Sequence, residues 1–306
     1  MWLLFAFMSA ALLGFYDVSK KHALRENAVI PVLFLNTVFC SLVFLPFVLL
    51  SAGGYISEDA MLYVPQQGWE VQKYVLLKSC IVLSSWICGY FGMKHLPLTL
   101  VGPINATRPV MVLVGALVFF GERLNVYQWI GVLLAILSFF LLSRSGRKEG
   151  IHFAHNKWIL CVVAAAVLGA LSGLYDKYLM APALAGGVGL NRMVVQSYYN
   201  FYQAGMMGAM LLLLWWPQRH KSTPFHWHWT ILFISLFLSA ADFVYFYSLS
   251  LDDAMISVVS MVRRGSVIVS FVVGALVFRE KNLRSKAIDL LLVLLSMLFL
   301  CLGQLC

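Results

Sequence analysis

Ten stretches of about twenty mostly apolar residues follow one another along this chain, the length an α-helix needs to cross the hydrocarbon of a bilayer. They run over roughly 2–21, 30–50, 72–92, 98–119, 125–143, 157–178, 192–216, 229–249, 254–278 and 286–303. Unpaired backbone groups are so costly in hydrocarbon that only helices and closed barrels span it. A barrel needs short alternating segments, and these runs are continuous. Of the 306 residues, 61% are hydrophobic and only 11% charged. A soluble domain has roughly a quarter of its residues charged, so lipid must be part of the solvent here. The apolar start from Trp2 to Leu13 lacks a basic leader and a small-residue cleavage site, and predicts a first span in place of a removed signal. The expected fold class is all-α integral membrane, with ten transmembrane helices.

The net charge is +9, but the basic residues cluster briefly between apolar runs. That is the pattern of loops facing anionic headgroups, so the lipid bilayer, and no nucleic acid, is the expected partner. The side holding loops 1–2, 3–4, 5–6, 7–8 and 9–10 carries 14 Lys/Arg, Lys20, Lys94 and Lys286 among them, and the other side five, Lys78 among them. Three arginines, Arg108, Arg263 and Arg264, fall inside spans. The positive-inside rule then puts the basic side in the cytoplasm and both termini outside. The six cysteines stand singly, without CxxC spacing, and read as packed thiols. The pairs His152/His155 and His226/His228 lack the further ligands a metal needs, so no metal and no cofactor is expected. The extramembrane segments are too short for a soluble catalytic domain, and no nucleophile or phosphate-loop motif occurs, so an enzyme is not expected.

The chain repeats itself. Gly14-Phe15-Tyr16-Asp17 recurs as Gly173-Leu174-Tyr175-Asp176, an offset of 159 residues. Gly115-Ala116-Leu117-Val118-Phe119, followed by Glu122, recurs as Gly274-Ala275-Leu276-Val277-Phe278, followed by Glu280. The division this implies is a first five-helix repeat over 1–143, a polar linker over 144–157 and a second repeat over 158–306. Five spans are an odd number, so the second repeat enters the membrane inverted. Inverted repeats place a site at their interface near mid-membrane, as in carriers that work by alternating access.

The stretch from Pro103 through Gly115-Ala-Leu-Val-Phe-Phe-Gly-Glu122-Arg123 to Gln128-Trp129-Ile130-Gly131 resembles the end of an EamA-type domain of the drug/metabolite transporter superfamily. Gly274 to Glu280 is a second, similar copy without the glycine before its Glu. The resemblance covers the chain as two tandem copies and implies a ten-helix transporter, with a bacterial inner membrane as its expected place. Members carry amino acids, sugars, nucleotide sugars, phosphorylated sugars or drugs, and ten-helix members usually keep both termini in the cytoplasm. That habit opposes the charge count, and orientation stays open between them.

Charges within spans are the candidates for function, because each costs about 3 kcal/mol at mid-bilayer. Arg108 and the Arg263-Arg264 pair sit in corresponding helices, 4 and 9, with Asn105 and Ser260 three residues before Arg108 and Arg263. A planar guanidinium recognises carboxylate or phosphate bidentately. Adjacent helical residues diverge by about 100°, so one of the pair is expected on an acid such as Asp17, Asp176 or Asp242. Asp17 lies one turn from Lys20 and Lys21, an easy intrahelical pair. Tyr16, Tyr175, Asp17, Lys20, Asp176 and Asp242 are the coupling or gating candidates. Tyr199, Asn200 and Gln203 share a polar stripe on helix 7, and Trp86 is a wall candidate; with Asn105 and the arginines they form the expected substrate site. Glu122 and Glu280 are expected to cap the helices that follow. The expected function is a secondary transporter of a small polar metabolite, anionic or zwitterionic: an organic acid, an amino acid or a phosphorylated compound. A lipid-headgroup flippase, a multidrug or cation exporter and a non-transporting scaffold are the alternatives, and the chain is a monomer or homodimer.

Overall fold

The structure, a computed structural model, describes residues 2–111, 125–147, 156–180, 186–249, 262–277 and 283–305. Ten α-helices account for most of these described residues: α1 (Trp2–Ala23), α2 (Val29–Ala52), α3 (Trp69–His95), α4 (Leu98–Ala106), α5 (Val126–Arg147), α6 (Lys157–Met180), α7 (Arg192–Met210), α8 (Thr230–Leu249), α9 (Ser266–Leu276) and α10 (Leu283–Leu305). Their order follows the ten apolar runs. Four described segments are long and apolar enough to cross a membrane: Val29–Ala52, Trp69–His95, Lys157–Met180 and Lys286–Gly303. In α1 and α7 the charged and amide side chains that interrupt the apolar runs belong to the interior described below.

Three boundaries differ from the sequence expectation. The seventh run does not stay α-helical to its end: after Met210 come a π turn, Leu211–Trp215, and a 3₁₀ turn, Trp216–Gln218. Pro217 has no N–H to continue the ladder, which accounts for the stop. The fifth run stays helical beyond residue 143, since α5 runs on to Arg147, and α6 begins at Lys157. The ninth run is broken at Gly265, ahead of α9. Gly115–Phe119, Glu122, Ser260, Phe278, Glu280 and the His152/His155 pair lie outside the described residues.

Helices from the first half pack mainly on helices from the second: α1 on α8, α3 on α6, α2 on α7 and α8, α3 on α7, α1 on α9, α4 on α6 and α9, and α5 on α10. Lipid is as apolar as leucine, so such contacts depend on close approach and on interhelical hydrogen bonds. Serines supply the bonds. Ser9 donates to the Ala241 carbonyl (2.7 Å) between α1 and α8, and Ser85 to the Ala165 carbonyl (2.7 Å) between α3 and α6. Between α5 and α10, Ser138 donates to the Asp289 carbonyl (2.8 Å) and Ser296 to the Gly131 carbonyl (2.7 Å). Glycines supply the approach: a Cβ on Gly92 would stand 2.2 Å from Val162, and one on Gly14 only 2.4 Å from Val269 of α9.

One large apolar cluster joins α1, α2, α3, α4, α6, α7 and α8, and a second joins α4, α5, α9 and α10. The connections are tied to the bundle as well. Asn27, after a turn in which Glu26 takes φ 55°, donates to the His226 carbonyl (2.7 Å) and accepts from the His226 N–H (2.9 Å). Lys94 donates to Thr223 (2.9 Å), and Lys21 donates to the Met93 carbonyl (2.7 Å) at the C-terminal end of α3.

Gly14→Ala should lower the thermal midpoint of the purified protein, because the clash falls on the Cβ of Val269, which is fixed to its backbone, and overpacking costs about 1–3 kcal/mol. Gly205→Ala, where a Cβ meets nothing within 4 Å, should leave it unchanged.

Candidate functional site

The site begins with two interrupted helices. α4 ends at Ala106, the backbone turns at Thr107, and residues 108–111 are helical again. Pro109 lacks the N–H that would bond the Asn105 carbonyl and crowds that carbonyl, so the ladder tightens. The Thr107 N–H bonds to Ile104 (3.2 Å), the Val110 N–H bonds to Thr107 (3.0 Å), and the Thr107 hydroxyl donates to the Ile104 carbonyl (2.7 Å). On the other side, residues 262–264 are helical, Gly265 turns with its N–H on the Val262 carbonyl (2.9 Å), and α9 starts at Ser266. Arg108 therefore directly follows one break, and Arg263 and Arg264 directly precede the other. The two elements meet where a Cβ on Gly102 would come 2.7 Å from Val267. Interrupted helices packed within a bundle are where polar cargo is commonly held in membrane carriers.

Charged side chains connect these breaks. Asp17 accepts from Lys20 (2.8 Å) and from the Ser270 hydroxyl of α9 (3.4 Å). The Lys20 ammonium lies 4.2 Å from the Tyr16 ring and 5.3 Å from that of Tyr90, a cation–π setting on two sides. Arg108 donates to Asn105 (3.1 Å), and its guanidinium lies against Gly169 of α6, where a Cβ would stand 2.7 Å from it. Arg108 is within electrostatic reach of Asp17 and Arg263, and Arg264 within reach of Arg108, Arg263 and Asp17. Arg263 forms an ion pair with Asp242 of α8 and stands 4.3 Å over the Tyr245 ring. The Tyr199 hydroxyl reaches the second Asp242 oxygen at 3.4 Å. The chain closes on Lys78 of α3, 5.5 Å from the Tyr199 ring and ion-paired with Asp176 of α6.

Eight of the described charges thus form one sequence through the bundle: Lys20, Asp17, Arg108 and Arg264, then Arg263, Asp242, Lys78 and Asp176. Arg263 takes Asp242, one of the three acids named from sequence. Among the described residues, neither Arg108 nor Arg264 is ion-paired.

Most of the expected site residues come together here, including Tyr16, Asn105 and Tyr199. Tyr175 donates from its hydroxyl to the Tyr74 carbonyl (3.3 Å), beside Asp176. Trp86 instead packs against the large apolar cluster. Asn200 and Gln203 are buried on α7, with Gln196, and bond to none of the arginines; Asn200 bonds back to the Gln196 carbonyl (2.8 Å). The Asn200 carbonyl oxygen and both Gln203 amide atoms have no hydrogen-bond partner among the described residues.

Three lysines counted as loop charges are inside. Lys20 is 7% exposed, Lys78 5% and Lys286 0%. Lys20 and Lys78 are held there by aspartates, and Lys286 sits within the apolar run of α10. Lys78 was missed outright as a site residue. Its signal was present in Val75-Leu76-Leu77-Lys78-Ser79-Cys80, a cation about two and a half turns into α3 and preceded by apolar residues. A cavity of about 250 Å³ lined by Gln67, Val71 and 188–191 with Val194 lies at the N-terminal ends of α3 and α7, apart from the charges.

Residues 1–144 match the model of the EamA-like transporter family. An uncharacterised transporter of Pseudomonas aeruginosa is 30% identical over 131 residues, 41% of this chain and 42% of that protein, so the match spans less than half of that relative. A solved crystal structure covers 98% of this chain and 97% of its own at a TM-score of 0.65 and 13% identity, which shows a shared fold.

Arg263→Gln and Asp242→Asn should each lower the thermal midpoint, at a cost of about 3 kcal/mol, because each leaves the other charge without its partner. The double variant should recover most of the loss, and additive losses would mean that the pair is not coupled.

Proposed function

We propose that this integral membrane protein, whose residues 1–144 match the model of the EamA-like transporter family, is a secondary transporter that carries a small anionic or zwitterionic metabolite by alternating access. The observation that carries the reading is the pair Arg108 and Arg264. Both stand at helix breaks, within reach of one another, and neither has a carboxylate partner among the described residues. Five cations (Lys20, Lys78, Arg108, Arg263, Arg264) share the chain of charges with three carboxylates (Asp17, Asp176, Asp242) among those residues. A low-dielectric interior strengthens every uncompensated charge, so an excess of cations favours an anion between them. A guanidinium pair offers the planar donors that a carboxylate or phosphate accepts.

The packing pattern supports two inverted five-helix repeats. Exchanging each helix for the one five later turns the α1–α8 contact into α6–α3, α2–α8 into α7–α3 and α1–α9 into α6–α4. It returns α2–α7, α4–α9 and α5–α10 to themselves. Rocking of one bundle against the other around the broken helices α4 and α9 then exposes the arginines alternately to the two faces. Asp17 and Asp176 fill equivalent repeat positions, six residues from the end of α1 and four from the end of α6, and these ends reach opposite faces in an inverted pair.

The test is thermal stabilisation of the purified protein against organic acids, amino acids, phosphorylated metabolites, neutral sugars and cationic dyes. A ligand bound only by the native state must raise the midpoint. An anionic or zwitterionic compound should do so, and Arg108→Gln or Arg264→Gln should weaken its binding at least tenfold. Gly169→Ala, which crowds the flexible end of Arg108 first, should weaken the same response with little change in the ligand-free midpoint. Stabilisation by neutral or cationic compounds, untouched by these substitutions, would overturn the reading.

A further inference from the structure

The two aspartates of the repeated Tyr-Asp motif share an environment that the anion-binding argument leaves unused. Each carboxylate holds a lysine ammonium from the chain itself, and each ammonium faces a tyrosine ring. At one end Asp17 holds Lys20 beside Tyr16 and Tyr90; at the other Asp176 holds Lys78 beside Tyr199. A carboxylate with aromatic faces around it is a receptor for a monovalent cation. Both lysines are more than nine-tenths buried, which in hydrocarbon requires a standing partner.

The two ends differ in what else faces the carboxylate. Around Asp17 stand Tyr16 and Lys20 of its own helix, Tyr90 of α3, Ser270 of α9, and the guanidinium groups of Arg108 and Arg264. Around Asp176 stand Tyr175 of its own helix, Lys78 of α3, Tyr199 of α7 and Tyr245 of α8. Arg263, which reaches Tyr199 and Tyr245 on that side, is taken by Asp242. Lys78 is therefore the cation that neutralises Asp176.

We propose that Lys20 and Lys78 are tethered counter-cations filling two cation sites at opposite faces, so that the transporter needs no proton or sodium ion to neutralise Asp17 and Asp176 during its cycle. A carrier with a bare carboxylate at such a position must load H⁺ or Na⁺ before it can reorient, and that loading couples transport to a cation gradient. Here the ammonium groups travel with the protein, and a cation gradient gains no hold on the cycle. Removal of Lys78 vacates one site, and a free monovalent cation then takes it. The inference builds on the carrier reading, but its cation readout stands or falls separately from the anion readout that tests that reading.

The experiment measures the thermal midpoint of the full-length protein in detergent, with NaCl replaced by choline chloride at constant ionic strength, and in a series from pH 8 to pH 5.5. Wild type should show no difference between sodium and choline. Lys78→Met should gain about 3 °C from sodium or, relative to wild type, from acidification, since either supplies the missing positive charge to Asp176. Lys78→Arg, which keeps the cation, should behave as wild type, and Lys78→Met with Asp176→Asn should lose the gain. Stabilisation of wild type by sodium would overturn the proposal, as would a Lys78→Met protein indifferent to both cations or a double variant that keeps the response. Should Lys78→Met not fold, the wild-type comparison and the charge-free double variant still decide the question.

Discussion

A lone carboxylate or ammonium in hydrocarbon costs so much that each must find its opposite, and that requirement determines where several helices of this bundle stand. Arg263 and Asp242 join the segment before α9 to α8, Lys78 and Asp176 join α3 to α6, and Asp17 reaches from α1 to Ser270 of α9. Apolar packing alone would let these helices rotate, because lipid offers leucine as good a neighbour as protein does. The charges remove that freedom.

Small residues do the complementary work. Gly14, Gly92 and Gly102 let backbones approach until no Cβ fits, and serine hydroxyls then bridge to carbonyls on the facing helix. The same device admits a charge at Gly169, where the missing side chain leaves room for the Arg108 guanidinium. Close packing and a buried charge thus meet on one face of α6.

The helices were legible because a continuous apolar run of span length has no other stable form. The partners of the buried charges were not. That Arg263 and Arg264 cannot share one target follows from the 100° step of a helix, but which of them meets Asp242 depends on how far the chain turns at Gly265, and no local pattern states that. Lys20 and Lys78 were counted with the loops because lysine near a span end usually snorkels to water. Their aspartates lie one turn away for Lys20 and on a different helix for Lys78, and only the folded chain reveals the second. Trp86, a wall candidate, packs on the apolar cluster instead, since periodicity gives a face and not the neighbour on that face.

Asn27 closes two hydrogen bonds on the backbone of a single residue, His226, and so fastens the turn between α1 and α2 to the connection between α7 and α8 as one strand is fastened to another in a sheet. With α1 lying on α8 and α2 on α7, these four helices form a tile drawn equally from both ends of the chain. The apolar cluster of α4, α5, α9 and α10 forms another. The packing clusters therefore cut across the duplication, each drawing helices from both halves of the chain.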